Sequence, residues 1–64
     1  MTLFKVGDLV VRKSCDDGII FCIMDFKADE EGRCAAVLKA IYDKTFIVEA
    51  QINDLRNIIA DGKL

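Results

Sequence analysis

The sequence predicts an all-β domain, a small five-stranded barrel, and three observations carry that expectation. Apolar residues recur at every second position in short runs, the spacing of a strand with one face inside. Glycines beside acidic residues break those runs, and there is no proline, repeat or low-complexity tract. The chain has 64 residues, room for one domain and one thin core.

The elements follow in order. Gly7-Asp8 is a turn: Gly suits positive φ, and the Asp carboxylate accepts bonds from nearby amides. Leu9 to Lys13 is the first strand, with Leu9 and Val11 on one face and Val10 and Arg12 on the other. Ser14 to Gly18 is a polar turn. The run from Ile19 to Lys27 is apolar on both faces, Ile19, Phe21 and Ile23 on one and Cys22, Met24 and Phe26 on the other. A strand of that kind is central, or bent so that each half uses a different face, and a kink is expected between Ile23 and Asp25.

Ala28 to Gly32 is a charged hairpin loop ending in Gly, as a type I turn followed by a left-handed residue requires. The return segment, Arg33 to Ala40, reads as a strand with Ala36 and Leu38 inward, although Cys34, Val37, Leu38 and Ile41 also fit a helical stripe. Tyr42 to Lys44 is a tight turn. Thr45 to Ala50 is a strand with Phe46, Val48 and Ala50 inward. Gln51 to Leu55 reads as one helical turn, with Leu55 closing the core, and Asn57 to Ala60 as the last strand. A single helix from Gln51 to Ala60 is the alternative. Five short strands, tight loops and one helical turn before the last strand together predict an SH3-like (Tudor-like) barrel, whose closure removes most exposed sheet edges.

Composition narrows the function. Lys and Arg number 9 against 11 Asp and Glu, a net charge of −2, which is not the basic footprint of a nucleic-acid binder. No apolar run is long enough to span a membrane, and the N-terminus lacks a signal region, so an intracellular, cytoplasmic protein is expected. There is no histidine, so the chain offers no Ser–His or Cys–His couple. The cysteines, Cys15, Cys22 and Cys34, form neither a disulfide framework nor a thiolate metal site, and no cofactor is expected. Asp16-Asp17 and Asp29-Glu30-Glu31 lack the ligand spacing of a calcium loop and read as solvated turns. Phe21, Phe26, Tyr42 and Phe46 read as core before they read as an aromatic cage. What remains is a composition 53% hydrophobic, more apolar surface than so small an interior can hide. That surplus predicts a partner, whether another protein, a second copy or the rest of a longer chain.

"VGDLVVRKS", then "IIFCIMD", "AVLKA", "FIVEA" and a late "DL" together resemble the N-terminal region of the YabG family of sporulation-specific proteases. The series is in order and spans most of the chain, with "GDLVVRKS" its most specific part. The resemblance implies a non-catalytic N-terminal module of a longer cysteine-type endopeptidase that processes spore-coat proteins in the mother cell of a sporulating bacterium. It carries no catalytic residue onto this chain, because the protease portion of that family lies downstream. The partners it implies are the protease's own downstream domain, its substrates or coat-assembly proteins. "VGDLVV…DDGIIFCI" is also similar to the barrel with which CarD-type transcription regulators hold RNA polymerase, the alternative expectation. The candidate partner-binding residues are Val10, Arg12 and Lys13 on the first strand and Cys22 and Met24 on the second face of the next.

Overall fold

The alternating runs fold as strands, and the strands close around the side chains that alternate inward. The computed structural model describes residues 4–15 and 18–58. Within them β1 (Leu9–Arg12), β2 (Phe21–Ala28), β3 (Cys34–Ala40), β4 (Ile47–Gln51) and β5 (Leu55–Asn57) form one antiparallel sheet in the order β4-β3-β2-β1-β5. A 3-10 turn, Ile52–Asp54, joins the two edge strands. The five antiparallel strands and the helical turn before the last of them are those expected of the small barrel.

The sheet curls because β2 is bent. Ile23 pairs with Leu38, but Asp25 pairs with Val37, so Met24 has no partner in β3 and forms a β-bulge. The extra residue reverses the alternation. Phe21 and Ile23 face the core before it, and Phe26 packs against the same core after it, while Asp25 turns outward. One strand thus serves two sides of the interior, with the bend where the two-sided apolar pattern predicts it.

The interior is small and apolar. Phe21, Ile23, Leu38 and Val10 are its largest fully buried side chains, with Leu55 and Phe4 closing its ends. Complete burial of a side chain of this class stabilises by about 1.5–3 kcal/mol. Phe46 meets Phe21 edge to face, ring centroids 5.6 Å apart. Tyr42, grouped with these rings in the sequence, is 70% exposed and stands outside the core.

The β2–β3 hairpin loop is held by one carboxylate. Gly32, at φ 79°, donates to the Asp29 carbonyl, and the Asp29 amide donates to the Arg33 carbonyl. The Asp29 side chain accepts from the Glu31 and Arg33 amides and from Arg33 Nε. The Arg33 amide is the main reason its carboxyl lies below its ordinary value of 3.8, with the Glu31 amide and the Arg33 guanidinium adding to it against partial desolvation. A carboxyl held low in the folded chain stabilises fully above its ordinary value and loses that contribution as pH falls through the lowered one. Urea unfolding should therefore show stability falling as the pH drops below 3.8, and Asp29→Asn should flatten that dependence. An unchanged slope in the variant would remove Asp29 from the account.

Several boundaries differ from the sequence expectation, each for a local reason. β1 ends at Arg12, because the Lys13 amide donates to the Asp54 carbonyl. β2 starts at Phe21, after Ile19 has packed against the core from the preceding loop. β4 begins at Ile47 and not Thr45, since Asp43 accepts from the Thr45 amide and hydroxyl and its carbonyl accepts from the Phe46 amide. Those bonds also hold the Asp43 carboxyl below its ordinary value, the Thr45 hydroxyl contributing most. β5 is Leu55–Asn57, earlier than expected, because Leu55 pairs with Arg12 and Arg56 with Val11. Neither the helix reading of Arg33–Ala40 nor that of Gln51 to Ile58 holds; Ile59 and Ala60 lie outside the described residues.

Candidate interaction surface

Part of the sheet face turned away from the core is apolar as well. β1 and the first half of β2 alternate between two apolar sets, so burying one set leaves the other outside, whereas past the bulge Asp25 and Lys27 face outward, Lys27 bonded to Glu49. The ladder lines the outer set up. Leu9 pairs with Cys22, Cys22 with Lys39 and Lys39 with Ile47, and the Ile58 amide donates to the Leu9 carbonyl at the far edge. A second row lies beside it, where the Ile41 amide donates to the Ile20 carbonyl and Val11 pairs with Arg56. Ile47 is 57% exposed, Ile41 47% and Ile58 41%, while Leu9, Val11, Ile20 and Cys22 are half-buried by their neighbours. Lys39, also half-buried, is the only charged member of the first row. An antiparallel sheet with one solvated face ordinarily alternates apolar with polar residues, and this end of the sheet departs from that pattern.

Two corners are pinned. The Asp8 carboxylate accepts from the Lys5 amide and from Asn57 Nδ2, and the Gly7 amide and Asp8 carbonyl bond to the carbonyl and amide of Ile23. The predicted Gly-Asp turn therefore extends the β1–β2 pairing beyond Leu9. At the other end Asp54 accepts from the Ser14 amide at 2.9 Å and from the Ser14 hydroxyl at 2.6 Å, tying the β1 exit to the 3-10 turn.

The five residues singled out in the sequence divide three ways. Cys22 and Met24 reach the outer surface, Cys22 in the centre of the first row and Met24, 42% exposed, at the bulge. Arg12 and Lys13 come to the end of β1, where a recess is lined by Val11, Arg12, Lys13, Cys15, Gly18 and Arg56. The Arg12 guanidinium carbon sits 5.1 Å from the centroid of the Phe21 ring. Val10 is a correction. It is fully buried, paired with Phe21 and Asn57, and presents nothing to a partner. The face shared by Val10 and Arg12 is the inner one, because the long Arg side chain lies over an aromatic ring instead of pointing into solvent.

The sequence did not single out Ile41, Ile47, Ile58 or Arg56. Ile47 was assignable to the outer set from its alternation with Phe46 and Val48. Ile41 and Ile58 follow strand ends, where period alone does not say which face continues.

Among the described residues, no three His, Cys, Asp or Glu side chains gather where they could hold a metal ion. No helix among them is long and apolar enough to cross a membrane. The chain has no match among family models, curated proteins or solved structures.

Proposed function

We propose that this barrel is a non-catalytic protein-interaction module of a sporulation-specific endopeptidase, one that processes spore-coat proteins. The observation that carries the reading is the apolar outer face, where Ile41, Ile47 and Ile58 stand exposed around half-buried Leu9, Val11, Ile20 and Cys22. A surface of this kind favours cover by another protein surface. The resemblance of "GDLVVRKS" and the segments after it to the YabG family supplies the parent, and the lack of histidine in the chain supports a holding role over a cutting one. In this reading the module works in the mother-cell cytoplasm and engages the protease's own downstream domain, its substrates or a coat-assembly protein.

Deleting the module from the full protease tests this. Cleavage of a short peptide substrate should persist, while processing of the natural coat substrate should fall at least tenfold. Undiminished processing of the natural substrate would overturn the reading.

A further inference from the structure

Lys39 adds a chemical requirement to the partner of the outer face, and this step rests on the reading of the domain as an interaction module. The side chain is half-buried in the first row, between Cys22 on β2 and Ile47 on β4. Val37, two residues back, shares its side of β3 by alternation, and Ile41, 47% exposed, follows it. Among the described residues the Lys39 ammonium has no ion pair and no hydrogen bond. The outward acids of the neighbouring row, Asp25 and Glu49 on either side of Val37, are engaged elsewhere. Asp25 accepts from the Phe26 amide at 2.8 Å, and Glu49 accepts from Lys27 Nζ at 3.1 Å.

A protein that covers this face takes Lys39 out of water, and a desolvated ammonium without a counter-charge is costly. We propose that the outer face binds a partner polypeptide segment in which one carboxylate is set among apolar side chains, the carboxylate pairing with Lys39 and the apolar side chains lying on Cys22, Ile41 and Ile47. Charge complementarity selects that occupant. A second copy laid face to face would bring two lysines and no free acid into one apolar layer, and like charges brought together in an interface repel. A phosphate backbone or an anionic lipid surface calls for several cations spread over the contact, whereas this row offers one. The same lysine gives discrimination, since a wholly apolar partner would leave it buried and unpaired.

The test uses the isotope-labelled 64-residue chain and fluorescein-labelled peptides of one alternating leucine–serine sequence, with glutamate, glutamine or lysine at the centre. The glutamate peptide should bind saturably, with amide shift changes centred on Cys22, Lys39, Ile41 and Ile47. It should bind about tenfold or more tighter than the glutamine peptide, the scale of a charge-assisted bond. Lys39→Met, which keeps the length of the side chain, should bind those two peptides equally. Lys39→Glu should prefer the lysine peptide, and both variants should retain a dispersed spectrum. Equal binding of the glutamate and glutamine peptides by the native chain, or a preference that survives Lys39→Met, would overturn the proposal. Absence of saturable binding, or shifts centred on Lys27 or Lys44, would do the same. Tighter binding to phosphatidylserine vesicles, or a dimer that Ile47→Glu dissociates, would give the face to a lipid surface or a second copy and also overturn it. The deletion experiment reads the broader proposal independently, so equal binding of the two peptides on this face would leave the interaction-module reading standing.

Discussion

Phe21→Ala should abolish the cooperative unfolding transition of this domain. Phe21 is fully buried, pairs with Val10 on one side and Ala40 on the other, meets Phe46 edge to face and carries the Arg12 guanidinium over its ring. Truncating a buried Phe to Ala costs about 3–5 kcal/mol, from lost transfer energy and the cavity left behind. The aromatic pair adds about 0.5–1.5 kcal/mol. A single core in a chain under about 70 residues rarely supplies more than about 3–5 kcal/mol in total, so this one substitution matches the whole margin. Far-UV circular dichroism through a urea series would show it: a sloping baseline in place of a sigmoid, with collapsed amide dispersion. Ile47→Ala, at an exposed position, is the control and should shift stability by no more than about 0.5 kcal/mol. A variant of Phe21 that unfolds within 1 kcal/mol of the native chain, on the order of an ordinary surface change, would refute its central place.

The second large effect is functional. Under the proposed function, Ile41→Thr combined with Ile47→Glu should leave the barrel folded and remove processing of the natural substrate by the proposed parent protease. Both positions are about half exposed, so little packing is lost. Thr keeps the β-branched shape of Ile at position 41, and Glu at position 47 stands across from Lys39, an attractive cross-strand pair. A residue central to an interface costs about 2 kcal/mol or more when lost, roughly thirtyfold in affinity. Native-level processing by a folded double variant would remove the outer face from the proposed function.

The sequence was informative where structure is decided locally. The bend between Ile23 and Asp25 was legible because a run apolar on both faces cannot stay regular in a curled sheet with one interior. The hairpin loop was legible because Asp29 and Gly32 perform their roles within five residues. The inward set of β4 and the closing role of Leu55 followed from period and position. Events between distant segments were less legible. The start of β5 depends on Leu55 finding Arg12, and on Asp54 holding Ser14 forty residues earlier in the chain. The inner face of β1 was hidden by its own composition. Leu9 and Val11 make one apolar face and Val10 half of another, so alternation separates two sets without saying which is inside. The charge on Arg12 pointed to the wrong one, since a guanidinium can reach the barrel's end along an aromatic ring. The candidate surface was legible as an excess of apolar residues, but its outline required the register.

Met24 has an evolutionary consequence. Because it is the one residue of β2 without a partner in β3, removing it would leave Ile23 opposite Leu38 and Asp25 opposite Val37 in an unbroken ladder. The faces on both sides would keep their assignments, and only the curvature would relax. Removing Asp25 would do the same, with Met24 opposite Val37 in its place, whereas a residue added elsewhere between Phe21 and Lys27 would exchange inner for outer across part of the strand. Loss of a residue in this stretch is therefore absorbed at the bulge, and kin of this chain that are one residue shorter in β2 should lack it.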